Sequence, residues 1–177
     1  MRRTIWIACL ALAACAAPGG PVNRTALTAA DAATSLAVGE QISEEVMTQS
    51  ASPGEDPVVN LTLRHPDGRH LSFQQGNHTP NDVFVQSAGG ALAQVMGLPA
   101  DATPTLYHAT SGENDAAPFF CGPQGPAAIG RFEGADGMVQ IVGLRQEIQV
   151  ETRPDGQTEA VPFSPDQVCA RLRFRKG

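Results

Sequence analysis

The side chains able to do chemistry are few and scattered. The four histidines are His65, His70, His78 and His108. The first two flank Asp67, and with His78 they could be drawn as a zinc or copper site. The hairpin register derived below puts His65 and His70 on opposite faces of a ribbon, so shared ligation is awkward and no metal is expected. Cys121, in Phe119-Phe120-Cys121-Gly122, is the candidate thiol nucleophile. Its apolar sequence neighbours supply no cation or helix start to lower its pKa. Glu151 and Glu159 oppose each other if the chain turns at residues 153–156, and paired carboxylates can split their pKa values for acid–base work. At a hairpin tip, however, they are solvated. The chain holds no Gly-x-Ser-x-Gly, Ser-x-x-Lys, His-Glu-x-x-His or P-loop. The expectation is therefore no catalytic residue, no cofactor and no enzyme; an enzyme whose residues converge only in three dimensions is the alternative.

One further pattern carries charge. Arg171, Arg173 and Arg175 alternate with Ala170, Leu172 and Phe174, which on a strand lines three guanidiniums along one face. Two readings follow. Beside a strand at 147–152 the arginines pair with Glu147 and Glu151, and this structural version is favoured. On an edge strand they form a candidate anionic-ligand stripe, since arginine suits bidentate contacts to carboxylate or phosphate.

The elements that must position these residues are mostly strands. Residues 58–75 alternate apolar and polar around His65-Pro66-Asp67-Gly68, which suits a type I turn with glycine at positive φ and a bulge. With His65 facing Arg69, Leu63 meets Leu71, Leu61 meets Phe73, and Thr62 and Ser72 share the other side. Arg153-Pro154-Asp155-Gly156 repeats the signal between 147–152 and 157–163, placing Ile148 opposite Pro162 and Val150 opposite Ala160. A third turn at Gly134-Ala135-Asp136-Gly137 joins 128–132 to 138–144, and further strands are expected at 82–87, 105–110 and 168–174. The fold class is mainly β: an antiparallel sandwich or barrel of about eight strands with one or two short helices. Those helices are expected near Ala29–Leu36, behind a capping-box outline at Thr28–Asp31, and within Gly90–Gly97.

The amino terminus gives an address. Residues 1–15 place Arg2 and Arg3 before an apolar run, Ile5 to Ala14, that is too short to span a bilayer and has a signal-peptide layout. Leu12-Ala13-Ala14-Cys15 resembles the lipobox of bacterial lipoproteins. The resemblance covers these residues only and implies that Cys15 is acylated at a new amino terminus after removal of residues 1–14. Ala16 behind the cysteine, in place of Asp, implies outer-membrane sorting over inner. The Pro/Gly stretch within residues 15–22 reads as a tether and 23–177 as one β-rich domain, facing the periplasm.

This address constrains the rest. Cys9 leaves with the leader and Cys15 is lipidated, so Cys121 and Cys169 remain as an even pair in an oxidising compartment, where a disulfide is expected. Loss of Arg2 and Arg3 leaves 10 basic against 18 acidic residues, a net of −8, with Lys176 as the sole lysine. That balance disfavours nucleic acid. The expected partners are the membrane, through acyl chains on Cys15, and an envelope protein or cell-wall component held by a non-enzymatic binding module. An inhibitor of an envelope hydrolase is an alternative, although the only Ser-Gly candidate for an inhibitory loop is Ser111-Gly112. A small-ligand or lipid-binding barrel is another.

Overall fold

In the computed structural model, which describes residues 20–50, 57–76, 83–110 and 117–177, period-two alternation and tight turns combine into a closed antiparallel barrel. Its strands are β1 (Val22–Ala29), β2 (Gln41–Gln49), β3 (Val58–Arg64), β4 (His70–Gln75), β5 (Thr105–Ala109), β6 (Ala128–Glu133), β7 (Met138–Leu144) and β10 (Val168–Lys176). Round the wall the order is β1-β10-β7-β6-β5-β4-β3-β2, and β2 pairs back to β1. Closure is thus complete within residues 22–176. A separate two-stranded ribbon, β8 (Val150–Thr152) with β9 (Thr158–Ala160), stands outside the wall. Closure removes the exposed edges that an open sheet of this size would present.

The turn chemistry sets the registers. At residues 65–69 the His65 N–H donates to the Arg69 carbonyl at 2.8 Å and the Gly68 N–H to the His65 carbonyl at 3.0 Å. Gly68 sits at φ +94°, a conformation costly for any side chain with a Cβ. Leu61 then pairs with Phe73, Thr62 with Ser72 and Leu63 with Leu71, as the pattern requires. The turn at 134–137 joins β6 to β7 through the same pair of bonds, with Gly134 and Gly137 as donors. The turn at 153–156 sets Val150 against Ala160 and Glu151 against Glu159. That ladder stops there, however: Val161 N–H still reaches the Gln149 carbonyl, and Pro162 has no N–H to continue. Ile148 therefore has no ladder partner at Pro162.

Two apolar clusters hold the domain. The inward faces of the strands fill the barrel with Leu27, Leu61, Phe73, Ile129 and Phe174, all essentially inaccessible. The outer cluster is made by helix α2 (Val83–Met96), whose Phe84, Ala88 and Leu92 lie on the outward Ala128, Val142 and Leu144 of β6 and β7. Gly130 makes that seat. A Cβ there would come within 2.7 Å of Leu92 Cδ2 and 2.9 Å of Val142 Cγ1.

Helix α2 also corrects the sequence reading. Residues 83–87, expected as a strand, form its first turns, and the helical spacing seen at 90–97 is its second half. Val83, Phe84 and Val85 favour strands intrinsically, but the Phe84/Ala88/Leu92 repeat buries a full helical stripe, and that tertiary gain overrides propensity. The short helix α1 (Ala32–Val38) starts three residues later than expected, because Asp31 is the cap: its carboxylate accepts the Thr34 N–H at 2.8 Å. β1 and β2 were not anticipated. With the strand at 82–87 gone and β8–β9 outside the wall, these two complete the eight.

Candidate functional site

β10 fixes where the arginine stripe points. Leu172 and Phe174 face the barrel core, so Arg171, Arg173 and Arg175 face outward and are exposed. The neighbours of β10 are β7 and β1, so Arg175 stands opposite Met138 and Thr28, and Arg173 opposite Gln140. Ion pairing with Glu147 and Glu151, the favoured expectation, is therefore overturned. Glu147 instead meets His108, and Glu151 lies on the detached ribbon. The assumed adjacency failed because the ribbon leaves the wall before β10 enters it.

Of the six other described arginines, five are ion-paired and Arg145 is not. Arg24 and Arg64 reach Glu45, Arg69 reaches Asp67, Arg131 reaches Glu44 and Glu133, and Arg153 reaches Glu159. Among the described residues no carboxylate lies within ion-pair distance of Arg171, Arg173 or Arg175. Arg171 Nη1 donates to the Val95 carbonyl in the last turn of α2, a favourable place for a cation at a helix C-terminus. The backbone N–H of Arg173 donates to Thr34 Oγ1 at 2.9 Å, and its guanidinium has no hydrogen-bond partner among the described residues. Asp31 feels the charge of Arg173: its pKa is lowered first by the Thr34 N–H and side chain and then by that charge. A shallow groove of about 110 Å³ beside Met96 and Gln140 runs along Arg171 and Arg173.

The remaining candidates disperse. His65 faces the barrel end, 5.5 Å from the ring of Phe119, whereas His70 faces outward opposite Arg64, the split the register implies. His65 Nδ1 lies 2.8 Å from Asp67. The Arg69 N–H leads the groups that hold the Asp67 carboxyl down at about 2, ahead of the His65 and Arg69 side chains. His78, Ser111 and Gly112 lie outside the described residues, as do Cys9 and Cys15. Among the described residues no three His, Cys, Asp or Glu side chains converge. Cys121 is bonded to Cys169 across 48 residues, with Cα atoms 5.0 Å apart, so it is not a thiol at all. Gly143 makes room for that bridge, since a Cβ there would sit 2.5 Å from Cys121 Sγ.

Two arrangements were not legible beforehand. Inside the barrel, Arg131 of β6 forms a two-pronged bond to Glu44 of β2, Nε to Oε2 at 2.6 Å and Nη2 to Oε1 at 2.8 Å. Glu44 is 3% exposed and the Arg131 side chain 15%. Arg131 also reaches Glu133 at 3.0 Å, and Lys176 closes the chain on Glu133 at 2.7 Å. Burial is the largest single influence and opposes the guanidinium's charge, but the bond and charge of Glu44, with the bond to Glu133, together outweigh it and raise the Arg131 pKa. Tyr107 lies near by, its pKa raised by burial. This chain of alternating charges is a strut across the barrel, each group neutralised by the next. The available signal was a charged residue at an inward position of two alternating runs, Ile42-x-Glu44-x-Val46 and Ile129-x-Arg131.

The second lies outside the barrel. His108 projects outward from β5, its Nδ1 hydrogen-bonded to Glu147 Oε2, and it borders a cavity of about 240 Å³ between β5 and the first half of α2. The barrel interior holds packed side chains; this space is on its flank.

The fold and site together define a closed eight-stranded β-barrel with one disulfide and a basic stripe on its outer face that pairs with no carboxylate among the described residues. No family model, no curated protein and no solved structure matches the chain.

Proposed function

We propose that this chain is a bacterial envelope lipoprotein, anchored through acyl chains on Cys15, whose barrel is a non-enzymatic module that binds an anionic component of the envelope through Arg171, Arg173 and Arg175. The observation that carries the binding half is the stripe itself. In a domain of net negative charge, and among the described residues, five arginines are matched to carboxylates; Arg145 is not, and neither are three arginines that line one face of a single strand. An anionic group can therefore be met by guanidiniums that need not first break an ion pair. Exposed charges of this kind mainly steer and select, and their effect weakens with salt.

The anchor half rests on the lipobox resemblance and on reach. The first described strand begins at Val22, and the five residue-to-residue steps from Cys15 to Gly20 span at most about 18 Å, so an acylated Cys15 keeps the barrel close to its bilayer. Two or three acyl chains make such an anchor durable, where one would be reversible.

Two measurements test the reading. Mass spectrometry of the N-terminal peptide from membranes should find Cys15 acylated and residues 1–14 gone; an unmodified Cys15 refutes the anchor. A photoreactive residue at Gln140, beside Arg173, should capture an envelope component in cells. Capture should be lost in Arg173→Gln/Arg175→Gln, a pair chosen because Arg171 also caps α2. Equal capture by the variant refutes the stripe.

A further inference from the structure

We propose that the cavity between α2 and β5 is a binding site for a small uncharged amphiphile, an aromatic or alicyclic alcohol or amide of on the order of ten non-hydrogen atoms. The size follows from volume: a dry cavity of about 150 Å³ holds benzene, and this one measures about 240 Å³. Its chemistry follows from the walls. Val85, Ala88 and Leu106 present carbon, while Gln75, Thr103 and His108 present hydrogen-bonding groups, and among the described residues no acidic, lysine or arginine side chain lines it. An ion entering there would lose water without gaining a counter-charge, so the occupant is neutral.

The polar end has a set direction. Because His108 Nδ1 bonds the Glu147 carboxylate, Nδ1 carries the hydrogen, and in that tautomer Nε2 is an acceptor. Nε2 has no hydrogen-bond partner among the described residues. A ligand hydroxyl or amide N–H supplies the donor it lacks. The room itself comes from the sequence of α2, which turns Ala88 and Gly89 toward the space. A Cβ built on Gly89 would approach nothing closer than the Pro104 carbonyl at 4.0 Å, so a larger side chain there would occupy the cavity without striking the backbone. This site is separate from the arginine stripe, whose Arg171 meets the opposite end of α2, and it stands whether or not the stripe binds an anion.

The test is a titration of the non-acylated Cys15→Ser chain with benzyl alcohol, followed by amide NMR shifts, with toluene and benzoate as comparison probes. The expected result is saturable shifts at Ala88, Gly89 and Leu106, with toluene at least fivefold weaker and benzoate not binding. Gly89→Leu should abolish saturation. His108→Phe should keep toluene binding and remove the preference for the alcohol, which separates lost recognition from lost fold. Unsaturable shifts spread over the surface, or saturable binding unchanged in both variants, would overturn the proposal.

Discussion

Removing Arg131 should destabilise the barrel far more than neutralising its partner, because the two charges are not equally provided for. In Arg131→Met, Glu44 keeps its 3% exposure and loses both bonds it makes. A buried charge left without its partner costs about 3–5 kcal/mol. In Glu44→Gln, Arg131 keeps Glu133 at 3.0 Å and still finds an amide oxygen, so the loss should be about 1–2 kcal/mol. For a domain of this size each kcal/mol moves Tm by roughly 2–4 °C, so Arg131→Met should lower Tm by roughly 6–20 °C. The double variant Glu44→Met/Arg131→Met removes both charges and should recover to within about 2 kcal/mol of the parent. The assay is urea denaturation followed by far-ultraviolet circular dichroism, disulfide intact, at neutral pH. Additive losses in the double variant, or an Arg131→Met loss below about 1 kcal/mol, would refute the reasoning.

Three other outcomes are expected. The mature protein should take up no alkylating reagent before reduction and two equivalents at Cys121 and Cys169 after it; replacing both cysteines by Ala should cost up to about 4 kcal/mol, the entropic value for a closed loop of this length. Asp31, Glu45, Asp67 and Glu133 all have lowered folded pKa values, Asp67 at about 2, so the stability they confer is present above their ordinary range and lost on acidification; the denaturation midpoint should hold near neutrality and decline from about pH 4.5 towards 2. Gly130→Val should push Leu92 off β6 and lower stability by about 1–3 kcal/mol, whereas Gly90→Ala, with open space around its Cβ, should be neutral or stabilising.

The legible parts of the sequence were those where local chemistry and burial agree. At residues 58–75, turn residues and alternation demand the same register, and the barrel uses it unchanged. β2 was hidden because Glu44 occupies an inward slot and breaks the apolar alternation; its meaning depends on Arg131, 87 residues away. α2 was misread in its first half because Val83, Phe84 and Val85 look like a strand until β6 and β7 offer a surface with a gap at Gly130. Strand adjacency was the other blind spot. Glu147 and the stripe are near in sequence, yet the ribbon diverts Glu147 to His108, and an expected ion-paired face becomes an unpaired one. The cavity beside His108 could not be seen at all, since it forms only once α2 packs outside the wall that contains β5.

The central claim, that the arginine stripe holds an anionic envelope component, is tested most directly by co-sedimentation of the non-acylated Cys15→Ser chain with isolated envelopes across a salt series. Without acyl chains, only the barrel's own contacts retain it. The account predicts saturable binding that weakens with salt, and at least tenfold weaker binding by Arg173→Gln/Arg175→Gln at unchanged Tm. Equal, salt-insensitive binding by both proteins, or no binding by either, would contradict it.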